Sequence, residues 1–305
     1  MNRDETSLPA STTGCGTPGP DPEAMRDRVR DGYARIATAG SWSALQADAP
    51  GACCPGGGCC GPATFSPEQL AQAIGYASDE LAAAPDGANL GLSCGNPSAI
   101  ASLRPGETVL DLGAGAGFDV FIAGAKVGAT GRAIGVDMTP EMLRRARGNV
   151  AAYTARTGLA NVEFRLGEIE RLPVADASVD AVISNCVLNL SPDKPQVWRE
   201  IARVLRPGGR VAVSDLALLR PLPAAVREDL EALVGCVGGA SLVDGMRADA
   251  AAAGLGGIEL RTKSGYVDAL VGWDDPLYRR IVAALPPGTR VGDFVTSVDL
   301  TAVKA

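Results

Sequence analysis

The sequence predicts a doubly wound α/β fold: a mainly parallel sheet with helices on both faces, an N-terminal helical cap and a small C-terminal α+β appendage. Three observations carry that prediction. Short apolar strands alternate with helical segments five times between residues 106 and 215. The fourth of these strands, Val179–Ser184, is apolar on both faces, as a central parallel strand is. The first strand runs into a glycine-rich turn that opens a helix, Asp111-Leu112-Gly113-Ala114-Gly115-Ala116-Gly117.

The elements follow in order. Residues 1–20 are rich in Thr, Ser, Gly and Pro and read as a disordered tail. Asp21 as N-cap, Pro22 at the first position and Gly40 as the stop bound a helix over 22–39. Residues 49–63 are a Cys/Gly/Pro segment without regular structure. Ser66-Pro67-Glu68 opens a helix to about Gly75, extendable to Ala84, and a loop carries Asp86 to Pro97. Residues 21–100 thus form a helical cap with a Cys-rich loop.

The ligand-binding domain spans 101–220. Its strands are Thr108–Leu112, Arg132–Asp137, Val162–Leu166, Val179–Ser184 and Arg210–Asp215. Its helices are Phe118–Val127, a long one capped at Thr139-Pro140-Glu141 and ending near Thr157, and Lys194–Leu205. The turn Arg206-Pro207-Gly208-Gly209 leads into the fifth strand. Residues 221–305 add helices at about 223–233 and 241–253, then strands near 257–263 and 291–301.

Bulk composition narrows the function. A chain of 305 residues with 46% apolar content builds a sizeable core, filled mainly by Ala, Val, Leu and Gly because aromatics are 4%. A net charge of −7 excludes a phosphate-backbone binder. No apolar run reaches membrane-span length, and the start Met1-Asn2-Arg3-Asp4-Glu5 has no apolar export region. A cytoplasmic protein with neither nucleic-acid nor membrane partners is expected, working as a monomer on a small molecule. Eight cysteines are too few for a disulfide scaffold, and reducing cytosol favours reactive, metal-binding or buried thiols. There is no histidine, so the commonest general base is missing.

The glycine loop has its own spacing. Dinucleotide folds use G-x-G-x-x-G, whereas Gly113, Gly115 and Gly117 bring the third glycine one residue early. This disfavours a dinucleotide oxidoreductase. Asp111 precedes the glycines. Asp137 closes the second strand, placed to accept hydrogen bonds from ribose hydroxyls. Glu168, just after the third strand, is placed to approach an adenine.

Three isolated cysteines surround this loop. Cys94 lies in Gly91-Leu92-Ser93-Cys94-Gly95-Asn96-Pro97 and Cys236 in Gly235-Cys236-Val237-Gly238-Gly239, both loop sequences that give packing little reason for a thiol. Cys186 ends the fourth strand, at the sheet edge that lines the ligand crevice in open α/β folds. A buried small hydrophobe is the plain alternative for each. Three thiols without histidine fit a soft, three-coordinate centre better than a hard cation or zinc. Four further cysteines form the pairs Cys53-Cys54 and Cys59-Cys60, readable as a soft-metal clip or as a redox or capture flap. Cys15 lies in the tail and is taken as idle.

Asp-x-Gly-x-Gly-x-Gly, an acid ending the next strand and the Leu205-Arg206-Pro207-Gly208-Gly209-Arg210 turn together resemble the class I S-adenosylmethionine-dependent methyltransferases over residues 100–220. The resemblance implies a Rossmann-like, seven-stranded sheet with a reversed last strand. It assigns the cofactor to Tyr33, Asp111, Gly113, Gly115, Asp137, Met138, Glu168, Ile169 and Asn185, with Tyr33 of the first helix covering it. Within that superfamily, the Cys94 loop, Asn185-Cys186-Val187-Leu188-Asn189-Leu190-Ser191-Pro192-Asp193-Lys194 and Gly235-Cys236-Val237-Gly238-Gly239-Ala240 resemble the arsenite methyltransferases, from about Val29 to Ala253. Cys94, Cys186 and Cys236 then correspond to thiols that hold trivalent arsenic and serve catalysis, with residues 221–305 completing that site.

The activity implied is methyl transfer from S-adenosylmethionine to arsenite or methylarsenite, a detoxifying biotransformation. Glutathione or thioredoxin acts as thiol reductant, and one or more of Cys53, Cys54, Cys59 and Cys60 stand where members carry an upstream redox or capture thiol, the soft-metal clip staying open as the other reading. Two other readings remain open from the residues alone: a methyltransferase with an organic acceptor, which needs a base, and a non-catalytic metalloid-binding protein.

Overall fold

The computed structural model describes residues 21–40, 66–223, 226, 236–263 and 281–305. Four helices precede the sheet: α1 (Pro22–Ala39), α2 (Pro67–Ala73), α3 (Ser78–Ala83) and α4 (Pro97–Ile100). Then come β1 (Thr108–Leu112), α5 (Phe118–Val127), β2 (Arg132–Asp137), α6 (Pro140–Thr157), β3 (Val162–Leu166) and β4 (Val179–Asn185). A 3-10 turn at Leu188–Leu190 leads to α7 (Lys194–Val204) and β5 (Leu205–Leu218). The described elements end with α8 (Val243–Ala252), β6 (Leu255–Lys263) and β7 (Val295–Lys304).

The caps explain the helix bounds. Asp21 accepts from Glu23 N, and Gly40, in the left-handed region, closes α1 by donating to Ile36 O. The helix expected from Ser66 to about Gly75 ends at Ala73, and the further helical stretch toward Ala84 is a separate helix, α3. Gly75 adopts φ +103°, and its turn breaks the run between α2 and α3. A short helix, α4, also starts inside the loop expected to end at Pro97, because the Asn96 side chain caps Ala99 N.

The sheet has seven strands in the order β3-β2-β1-β4-β5-β7-β6. Strands β1 to β5 pair in parallel, and β7 runs antiparallel to both β5 and β6. The seven-stranded Rossmann-like sheet with a reversed last strand is therefore present. Strand β5 is longer than Arg210–Asp215 at both ends. Leu205 pairs with Val179 ahead of the bulge, and Asp215 to Leu218 pair with β7. The last strand starts at Val295 rather than near 291, where a 3-10 turn intervenes. The helix expected at about 223–233 falls almost wholly outside the described residues.

Side chains alternate across this sheet. Leu110, Leu112, Val182 and Val213 face α7 and α8, around the buried Trp198 and Ile201. Val109, Ala181, Ile183 and Ala212 face the α5 side, around Phe121 and Tyr153. Both faces are covered, so the parallel strands tolerate their continuous apolar character. The register puts Leu112 beside Val136 and Ser184, so the ends of β1, β2 and β4 open on one edge. The α1 helix lies across that edge, held to α6 by Arg145 Nη1 donating to Ala37 O at 2.6 Å.

Candidate active site

A cleft lies at the carboxyl edge of the strands. Its floor is the glycine loop, where Gly113, Gly115 and Ala116 line it with Asp111 and Asp137. Gly113 has φ +67°, and a Cβ there would run into Val187 of the opposite wall. Gly117 has φ +93°, with Phe121 and Phe164 each 2.8 Å from where a Cβ would stand. Glycine is thus needed at Gly113 for close approach across the cleft and at Gly117 for packing under it.

The carboxylates on this floor are buried. Asp137 accepts from Gly115 N and from Thr139 N, each at 2.8 Å, which locks the loop to the end of β2. Burial raises its pKa against those bonds. Asp111 is raised well above the usual carboxylate range, first by burial and then by Asp119 and Asp137. Asp119, at the start of α5, is pushed up to about 6 by burial. It accepts from Tyr76 Oη at 2.6 Å and Asn185 Nδ2 at 3.1 Å. The one cation lining the cleft among the described residues is Arg26, whose Nε is 3.4 Å from Glu170. The cleft therefore suits a ligand carrying positive charge.

The structure places the expected cofactor residues unevenly. Tyr33, Asp111, Gly113, Gly115, Asp137, Met138, Ile169 and Asn185 all line the cleft. Glu168 does not: its side chain is 41% exposed and lies 3.8 Å from Arg26 Nε. The buried acid on that wall is Glu170, which accepts from Ser191 Oγ at 2.6 Å. The strand has ended by Leu166, and a turn closed by Arg171 N donating to Glu168 O at 3.1 Å brings both Ile169 and Glu170 to the cleft while Glu168 stays outside it. Asp119, Tyr76 and Glu170 were not singled out from sequence.

The three cysteines meet. Cys94, Cys186 and Cys236 are 3%, 9% and 3% exposed and share one buried cluster with Val29, Leu190 and Leu216, against which Tyr33 packs. The loop sequences hid this burial, since each cysteine packs against residues distant in the chain. Cys94 and Cys186 are joined by a disulfide across a Cα–Cα distance of 6.0 Å. Cys236 is free, and its thiol donates to Cys186 O at 2.7 Å. Burial pushes the Cys236 thiol up, with Asp215 adding to it and the Tyr33 hydroxyl, its hydrogen-bond partner, opposing. Cys186 lines the cleft directly. Cys15, Cys53, Cys54, Cys59 and Cys60 lie outside the described residues.

Two asparagines hold this cluster. Asn185 Oδ1 accepts from Cys94 N at 3.1 Å, while its Nδ2 donates to Gly95 O at 2.8 Å and to Tyr76 Oη at 3.0 Å. Asn189 Nδ2 donates to Asp215 Oδ1 at 2.8 Å and Leu216 O at 2.6 Å, and its Oδ1 accepts from Ser241 N at 3.3 Å. The second asparagine thereby ties the turn after Cys186 to β5 and to the segment after Cys236. Cys186 and Cys236 themselves sit at φ +54° and +62°, a region costly for residues with a Cβ. Strain of this kind persists where the surroundings fix it, and these clamps do so.

Comparison with known proteins agrees with the geometry. A family profile described as a methyltransferase domain matches residues 103–272. An arsenite methyltransferase of Halobacterium salinarum is 50% identical over 256 residues, 83% of this chain and 63% of that protein. The human arsenite methyltransferase is 39% identical over 137 residues, 43% of this chain and 36% of that protein. The chain thus spans less than two thirds of the length of these curated relatives. The crystal structure of an arsenic (III) S-adenosylmethionine methyltransferase from Chlamydomonas reinhardtii superposes with a TM-score of 0.55 at 32% identity, covering 77% of this chain and 72% of that one. The chain belongs to the methyltransferase-domain family.

Proposed function

We propose that this protein transfers a methyl group from S-adenosylmethionine to trivalent arsenic held by the thiols of Cys94, Cys186 and Cys236. One observation carries the reading: three buried cysteines from distant segments converge beside a cleft built for a cationic ligand, in a chain without histidine. The residues fit the donor. The glycine loop admits a ligand against backbone, Asp137 ends β2 with lone pairs to spare for ribose hydroxyls, and Asp111 and Asp119 meet positive charge. When bound, S-adenosylmethionine supplies an electrophilic methyl on a sulfonium centre.

The protein's own task is then placement. Cysteine thiols exchange for arsenic hydroxyls, each exchange releasing water, and the arsenic keeps its lone pair. That lone pair is the nucleophile, so no proton has to be removed and no base is needed. Holding two reactants in register supplies on the order of 7–11 kcal/mol of a barrier. Asn185, Asn189 and the Tyr33 hydroxyl hold the sulfurs in place for it. Methylation raises arsenic formally to the pentavalent state. Two thiolate sulfurs leave arsenic as a disulfide, which returns two electrons to it, and the closeness of Cys94 and Cys186, 6.0 Å apart at Cα, supports that pair as its source. The next turnover requires two electrons and two protons from a dithiol or glutathione-class reductant to reopen it.

Thioredoxin is a fitting reductant, and a cytoplasmic, monomeric enzyme is consistent with this chemistry. No helix of the described residues is long and apolar enough to cross a membrane. Cys53, Cys54, Cys59 and Cys60 are assigned to arsenic capture or electron relay, and residues 221–305 to completing the acceptor site through Cys236. The test is direct. Purified protein with S-adenosylmethionine, arsenite and a thiol reductant should yield methylarsenicals by mass spectrometry. Absence of any methylated arsenic at equimolar donor and protein would refute the assignment.

A further inference from the structure

Tyr76 has no part in the chemistry above, yet three consecutive residues of the Cys94 loop are tied to it or to its partner Asn185. It follows α2, and its N donates to Ala71 O at 3.0 Å, which fixes it to that helix. It is buried, and its ring packs on Phe118 with centroids 4.9 Å apart. Its hydroxyl donates to Asp119 Oδ1 at 2.6 Å and accepts from Asn185 Nδ2 at 3.0 Å. The Ser93 hydroxyl is also a hydrogen-bond partner of it. Asn185 holds the next two residues: its Oδ1 accepts from Cys94 N at 3.1 Å, and its Nδ2 donates to Gly95 O at 2.8 Å. An amide nitrogen has two hydrogens. One goes to Gly95 O, and the other is shared between Tyr76 Oη and Asp119 Oδ2, at 3.0 and 3.1 Å. The tyrosine hydroxyl and the carboxylate thus set the plane of the Asn185 amide, and the amide sets the backbone of Cys94. Buried polar groups that satisfy one another in this way fix a single arrangement. Ser93, Asp119 and Asn185 line the cleft, whereas Tyr76 does not.

Resting on the arsenic reading of this site, we propose that Tyr76 is a positioning residue: its hydroxyl, through Ser93 and Asn185, holds the Cys94 sulfur in register with Cys186 and Cys236 for arsenic. Without that hydroxyl, Ser93 and Asp119 lose a buried partner, and the second hydrogen of the Asn185 amide has only Asp119 to meet. The amide is free to tilt, and Cys94 N and Gly95 O move with it. Ser297 Oγ, which donates to Cys94 O at 3.3 Å, keeps the loop attached to β7, so the loop loosens rather than unfolds. The other two thiols hang on different contacts. Cys186 N donates to Ser214 O at 2.9 Å, and the Cys236 thiol donates to Cys186 O. The loss therefore falls on one thiol of the three.

The test variant is Tyr76→Phe, which deletes the hydroxyl and keeps the ring on Phe118. Two measurements on reduced protein decide. In the first, without arsenic, the alkylation rate of each thiol by iodoacetamide is read by peptide mass spectrometry. The rate at Cys94 is expected to rise about tenfold, the scale of a lost buried hydrogen bond, with Cys186 and Cys236 within about twofold of wild type. A merely structural role speeds all three together. In the second, arsenite affinity is measured by equilibrium dialysis in wild type, Tyr76→Phe, Cys94→Ser and the double variant. Tyr76→Phe is expected to weaken binding several-fold with Cys94 present and by less than about twofold with Cys94→Ser, since a residue acting through another then has nothing to act on. If Cys94→Ser binds no arsenite, the alkylation rates decide alone. Ser93→Ala is expected to act the same way by less, and it carries the test if Tyr76→Phe does not bind S-adenosylmethionine. An unchanged rate at Cys94, equal gains at all three cysteines, or equal losses of affinity in both backgrounds overturns the inference. A reduced wild type that binds no arsenite overturns the reading of the site, and the inference with it.

Discussion

The glycine-loop floor and the thiol cluster, the proposed donor and acceptor sites, sit side by side, yet they are built in opposite ways. The donor floor is local. Asp111 to Asp137 covers β1, the glycine loop, α5 and the end of β2, and its main lock is Gly115 N on Asp137. The acceptor cluster is assembled from far apart: Cys94 and Cys186 are 92 residues apart, and Cys236 a further 50 beyond Cys186. Backbone shape makes the first site, through glycines that let a ligand approach. Side-chain clamps make the second, through Asn185, Asn189 and Asp215. The lesson is that the floor of the first site is fixed by one short stretch of chain, whereas the second depends on contacts that any of several elements can break.

Redox state gives the sharpest separation. Without a thiol reductant the Cys94–Cys186 bond persists, and arsenite binding measured by intrinsic fluorescence should fall to background while S-adenosylmethionine binding stays at its reduced-protein value. Next, Gly113→Ala forces a Cβ into Val187 at a positive φ. It should weaken donor binding about tenfold or more by calorimetry and leave arsenite binding within about twofold, given a strain of roughly 1–3 kcal/mol.

A smaller effect runs the other way. Asn189→Ala frees the turn after Cys186 and leaves Ser241 N and Leu216 O without their partner. Buried groups left unpaired cost roughly 1–3 kcal/mol, so KM for arsenite should rise several-fold with KM for the donor unchanged. The smallest effect is on stability. Asp119 holds its proton up to about 6 in the folded protein, above the ordinary value of about 3.9. The stability it contributes is fully present below about pH 3.9 and is lost as pH rises through 6. Asp119→Asn should therefore flatten the fall in Tm between about pH 4 and 6 relative to wild type.

Legibility in the sequence followed the same division. Helix α1 could be bounded from Asp21 and Gly40 because caps are local, and β1, the glycine loop and Asp137 from their spacing. Asp119 reads as an ordinary acid in the first turn of a helix. Its meaning comes from Tyr76 and Asn185, which are 43 and 66 residues away. Asn189 and Asp215 are separated by 26 residues, and no motif spacing records such a pair. Cys94 and Cys236 looked like loop residues for the same reason, since the contacts that bury them come from α1, β4 and β5. The end of α2 near Gly75 was legible for the same local reason as the end of α1, since a glycine marks it. The extra length of β5 came from pairing with β7, which local sequence does not encode.

The claim that one region holds the donor and a separate thiol cluster holds the acceptor is tested most directly by Cys186→Ser, with both functions measured on the same reduced sample. The account predicts S-adenosylmethionine binding within about twofold of wild type and loss of arsenite methylation by roughly a hundredfold or more, the scale of a lost positioning group. Methylation retained in Cys186→Ser, or donor binding lost together with it, would contradict the account.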